Sequence, residues 1–66
     1  MNLHRKIHIE LAGAEQKAWA ALAGYKFWMF GYWAARWVGL NRLLDERRPN
    51  PFAPLVKLAR AKKGAP

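Results

Sequence analysis

The chain has 66 residues, a formal net charge of +8, nine aromatic side chains and no cysteine. That length allows one small domain at most, and the lack of cysteine excludes disulfides and thiolate metal sites. Serine and threonine are absent too, so the usual nucleophiles of covalent catalysis are missing, and neither an enzyme nor a cofactor is expected.

Residues 1–13 come first. Leu3, Ile7, Leu11 and the following Ala14 recur at helical spacing, whereas Leu3, Ile7, Ile9 and Leu11 would partly suit a strand. The reading is a short amphipathic N-terminal helix, weakened at Gly13. His4 and His8 stand one turn apart and could share a metal. Two ligands do not make a site, however, and Glu10 faces elsewhere, so no metal is expected. The basic start lacks the continuous apolar stretch and small-residue cleavage site of a secretory signal, which predicts a cytoplasmic or membrane-associated protein.

Residues 14–46 read as one long helix. The segment is rich in alanine and leucine, has no proline, and contains a single β-branched residue, Val38. Arg42 can pair with Asp45 and Glu46 one turn on, and Pro49 stops the helix by forcing Arg48 out of helical geometry. Asn50-Pro51-Phe52-Ala53-Pro54 then forms an extended turn. In the remainder of 47–66, Pro54 suits the first position of a short basic helix. The predicted fold is therefore all-α and a single domain, dominated by the helix at 14–46.

Eight of the nine aromatic residues lie between Ala18 and Leu44. One ridge of that helix runs Trp19, Ala23, Lys26, Phe30, Trp33, Trp37, Leu40, Leu44, with Arg36 beside it. Trp19, Lys26, Phe30, Trp33, Arg36 and Trp37 are the expected membrane or partner contacts. Arg36 lies within helical reach of Tyr32 and Trp33, and Lys26 of Phe30; either cation could sit over a ring or snorkel to water, and snorkelling is favoured because it needs no ligand. The opposite side pairs Ala20 with Gly24 and Gly31 with Ala35, small residues that let another helix approach closely and make a homo-oligomer conceivable.

Charge narrows the partners. Residues 18–44 carry Lys26, Arg36 and Arg42 and no carboxylate, and the tail adds Lys57, Arg60, Lys62 and Lys63 as an electrostatic arm. Such a balance favours anionic surfaces. A transmembrane span is disfavoured, because the longest uncharged run in the segment is nine residues, Phe27 to Ala35, against the roughly twenty that a span needs. A helix lying in the membrane interface fits better, since Trp and Tyr favour that boundary. A cationic, cysteine-free, tryptophan-rich helical chain that starts directly at Met1 resembles the leaderless bacteriocins in composition over residues 1–44, which implies membrane-active or antimicrobial action. Pro49–Pro54 and the Asp45-Glu46 pair depart from that pattern.

Two other functions stand beside this one. Rings interleaved with cations can bind single-stranded nucleic acid, although no zinc knuckle, RNP motif, GXXG loop or helix-turn-helix pattern is present. Alternatively, Phe52 and the surrounding prolines could fold back on Trp33 and Trp37, giving a small accessory or phage-type inhibitor subunit of a larger protein assembly.

Overall fold

The computed structural model describes residues 2–64, which form three α-helices and no strand: α1 Leu3–Ala23, α2 Phe27–Asn41 and α3 Ala53–Gly64. Helices α1 and α2 pack side by side as a hairpin. The described chain measures 51 × 25 × 13 Å along its principal axes.

The first helix is longer than its sequence suggests. Asn2 caps it, its Oδ1 accepting from the His4 N–H at 2.9 Å. It then runs through Gly13 without interruption for 21 residues. Helical glycine costs about 1 kcal/mol relative to alanine. The buried stripe Ile7, Leu11, Ala14, Ala18, Ala21 spans the glycine on both sides, and its burial offsets that cost.

The expected continuous helix at 14–46 is instead two helices. It breaks at Gly24–Lys26, where the Lys26 N–H donates to the Ala21 carbonyl at 2.8 Å and the Tyr25 N–H to the Leu22 carbonyl at 3.0 Å. These two bonds make a Schellman motif. Its left-handed position falls on Tyr25, at φ 62°, while Gly24 sits one residue earlier at an ordinary φ of −97°. A residue with a Cβ pays roughly 1–2 kcal/mol there. A straight helix would leave the ridge Phe30–Trp33–Trp37 in water; folding back buries it against the alanines of α1. That burial outweighs the strain.

The second helix also ends earlier than expected, at Asn41 rather than Glu46. The Asn41 amide clasps the backbone of Arg48, with Nδ2 donating to its carbonyl at 3.0 Å and Oδ1 accepting its N–H at 2.9 Å. The chain between them is drawn into a closed loop, so the one-turn pairing expected of Arg42 with Asp45 and Glu46 loses its helical frame. Asn50 then turns the chain, accepting the Phe52 N–H on Oδ1 at 2.8 Å and the Ala53 N–H on its carbonyl at 3.2 Å. Pro54 lies in the first turn of α3, where its missing N–H costs nothing.

Phe52 completes the core. It is buried, with ring centroids 5.0 Å from Trp19, 5.4 Å from Phe30 and 6.3 Å from Trp37. Ile7, Leu11, Ala14, Ala18 and Leu44 share this cluster, and Leu55 packs on its edge. No residue of α3 itself is buried.

Candidate interaction surface

Once α2 is packed on α1, its phase is set and the rings divide into two populations. Phe30, Trp33, Trp37, Leu40 and Leu44 point towards α1; Trp37 is 2% exposed. Trp37, expected at the centre of a contact surface, is therefore core. The break places the Trp19 and Ala23 end of the expected ridge on α1, while its part from Phe30 to Leu44 meets α1 and Phe52 within the chain. Trp19 and Phe30 belong to different helices, with centroids 6.5 Å apart. The Trp19 indole N–H donates to Glu15 at 3.1 Å.

Trp19 keeps an exposed edge, but the rings most open to solvent are others. Tyr25 is 81% exposed and Trp28 83%, and Phe27, Met29 and Tyr32 are exposed beside them. Tyr25 and Phe27 meet edge to face at 6.0 Å at the hairpin tip. At 100° per residue, Trp28, Tyr32 and Arg36 follow one another along the outer face of α2. Lys26 and Arg36, both expected contacts, are exposed at the tip and on this face. No carboxylate occurs between Ala18 and Leu44 to neutralise them. Sequence reasoning passed over Trp28 because it belongs to neither the heavy ridge nor the small-residue side of a continuous helix. The break at Tyr25 and the packing of Trp37 reveal it.

The expected small-residue side is split by the same break, with Ala20 on α1, Gly24 at its end, and Gly31 and Ala35 on α2. All four are exposed. A Cβ added at Gly31 would meet nothing within 4 Å, and one at Gly24 would touch only its own turn at 3.7 Å or more. Close helix approach within the chain is made instead by the buried Ala14, Ala18 and Ala21 of α1.

The cation seated over a ring is one that the sequence did not single out. Lys17 Nζ lies 4.4 Å from the Trp33 ring centroid, whereas the sequence offered Lys26 over Phe30 or Arg36 near Tyr32 and Trp33. Lys17 and Trp33 are far apart in the chain, and only the hairpin brings them together. Both line an open cleft of about 370 Å³ with Ala20, Ala21, Lys26 and Met29. An apolar groove of about 340 Å³ runs between α2 and α3, lined mainly by Phe30, Ala34, Val38, Leu55, Val56 and Ala59.

His4 and His8 meet through their Nε2 atoms at 3.0 Å and open onto a hollow shared with Asp45, Glu46, Arg47 and Arg48. Among the described residues, no group of three or more His, Asp or Glu is placed to hold a metal ion. Lys57, Arg60, Lys62 and Lys63 are exposed along α3, the last two in its final turn, where the helix dipole favours cations. Among the described residues, no helix is long and apolar enough to cross a membrane. No protein-family model matches the chain, and no curated protein or solved structure is measurably similar to it.

Proposed function

We propose that this chain binds anionic membrane surfaces, with the α1–α2 tip and the outer face of α2 lying in the interface. The observation that carries this reading is the run of exposed rings at Tyr25, Phe27, Trp28 and Tyr32, flanked by Lys26 and Arg36 in a stretch with no acid. Apolar surface gathered at one place on a small chain marks an interaction site. Trp and Tyr bury their bodies at the level of the lipid head groups while their polar atoms stay wet, and neighbouring cations reach phosphates. The α3 cations add long-range attraction of about 1 kcal/mol each near an anionic surface. Membrane-active or antimicrobial action is the consequence that the composition suggests.

Tryptophan fluorescence with anionic and zwitterionic vesicles tests the reading. Anionic vesicles are expected to shift emission to the blue, and Trp28→Ala to lose most of that shift. Added salt should weaken binding only in part, because ring burial is not screened. Failure to bind vesicles, together with tight and strongly salt-dependent binding to single-stranded DNA, would move the function to nucleic acid.

A second reading, a small accessory or inhibitor subunit, is favoured by the groove between α2 and α3, whose apolar lining is open to a partner helix. Substitution of Val56 and Ala59 by glutamate would abolish a protein contact there and leave vesicle binding by the tip intact.

A further inference from the structure

The geometry points to the cleft between α1 and the start of α2 as the seat of the phosphate of an anionic phospholipid, held by Lys17 and Lys26 beside Trp33. The inference rests on the membrane-surface reading and assigns a head group to it.

Two lysines from different elements line this cleft, Lys17 from α1 and Lys26 from the turn, and no carboxylate lines it. Like charges facing one hollow repel each other, and an anion placed between them relieves the repulsion. Each lysine offers three donors, which suits phosphate oxygens approached from varied directions. The Lys17 side chain is seated on a ring, and Lys26 leaves the chain from a fixed point of the backbone. Lys17 lies 4.4 Å above the Trp33 ring centroid, and the Lys26 backbone is tied to the Ala21 carbonyl at 2.8 Å by the Schellman turn. The cleft also adjoins the proposed interface, since Met29 both lines it and is exposed next to Trp28. A phosphate seated between the lysines would leave its glycerol and acyl chains running towards Met29 and the tip rings.

This arrangement discriminates between head groups of equal charge. Phosphatidylglycerol presents its phosphate beside a neutral glycerol, whereas phosphatidylserine adds a zwitterionic serine whose ammonium, next to its carboxylate, would have to enter a hollow lined by two lysines. Diffuse attraction treats the two lipids alike. The seat prefers phosphatidylglycerol.

The test uses the full chain with phosphatidylcholine vesicles containing equal mole fractions of either anionic lipid. Two variants each remove two charges: Lys17→Gln with Lys26→Gln, and Lys62→Gln with Lys63→Gln. Both pairs are exposed, and circular dichroism checks that the helices persist. Loss of two cations is expected to weaken binding to either vesicle by up to about thirtyfold in both variants. The ratio between lipids decides the matter. The wild type and the tail variant should favour phosphatidylglycerol several-fold, the cleft variant should bind both lipids equally, and Lys17→Arg with Lys26→Arg should keep the preference. Vesicle binding without any head-group preference, or a preference that survives the cleft variant, would overturn the seat and leave the membrane reading standing. Absence of vesicle binding by the wild type would overturn both. Displacement of the protein from vesicles by micromolar glycerol phosphate would assign the cleft to a soluble phosphate ligand and also refute the lipid assignment.

Discussion

Replacing Tyr25 by glycine should make the chain more stable and a poorer membrane binder. The strain is local: Tyr25 occupies the left-handed position of the α1 cap at φ 62°, which costs a residue with a Cβ roughly 1–2 kcal/mol and glycine almost nothing. Glycine returns part of that gain through the greater freedom of the unfolded chain, about 0.5–1 kcal/mol. The ring itself contributes little to folding, since it is 81% exposed and touches mainly Phe27. The net expectation is a stabilisation of about 0.5–1 kcal/mol, which raises the melting temperature by roughly 2–8 °C in a domain of this size. Thermal and urea melts followed by circular dichroism measure it. Vesicle affinity should move the other way. An exposed ring that enters the interface is worth on the order of 1 kcal/mol, so its loss costs about fivefold. A residue held in strain where glycine would be comfortable, and facing solvent, is what the proposed contact calls for. A lower melting temperature for Tyr25→Gly would refute the strain argument; a higher one with unchanged vesicle binding would remove Tyr25 from the interface.

Phe52→Ala empties the centre of the ring cluster and should cost about 3–5 kcal/mol, enough to unfold much of so small a domain; loss of near-ultraviolet dichroism and a red shift in tryptophan emission would report it. Trp37→Ala should destabilise as severely, whereas Trp28→Ala should change stability by less than about 0.5 kcal/mol, and equal losses in urea melts would contradict the division of the rings into core and surface. Gly13→Ala and Gly31→Ala each place a methyl in open space within a helix and should add about 0.5–1 kcal/mol apiece. Because Gly31 faces solvent in the single chain, Gly31→Leu should then be tolerated as well as Gly31→Ala; loss of a larger species with leucine alone, in sedimentation, would show that a second copy packs on that face.

The sequence by itself determined the helical class and the basic character of the last helix. These follow from spacing and charge, which act over a few residues, whereas the end of the second helix at Asn41, well before Pro49, follows from the clasp of Asn41 on Arg48. The sequence also showed that Phe30, Trp33, Trp37, Leu40 and Leu44 share a face, because helical periodicity is local. What that face meets was decided by tertiary structure. Nothing near Tyr25 marks a break, since the glycine stands one residue before the position that usually needs it, and the tyrosine accepts strain only because the hairpin buries Trp37 and Phe52 in return. The same long-range event sends Trp37 inward, leaves Trp28 and Tyr32 outside, carries Lys17 over Trp33 and splits the small-residue side in two. A periodic pattern identifies the residues on one side of a helix; the partner for that side is chosen by whichever surface the chain can bring against it, and here the partner was the chain's own first helix.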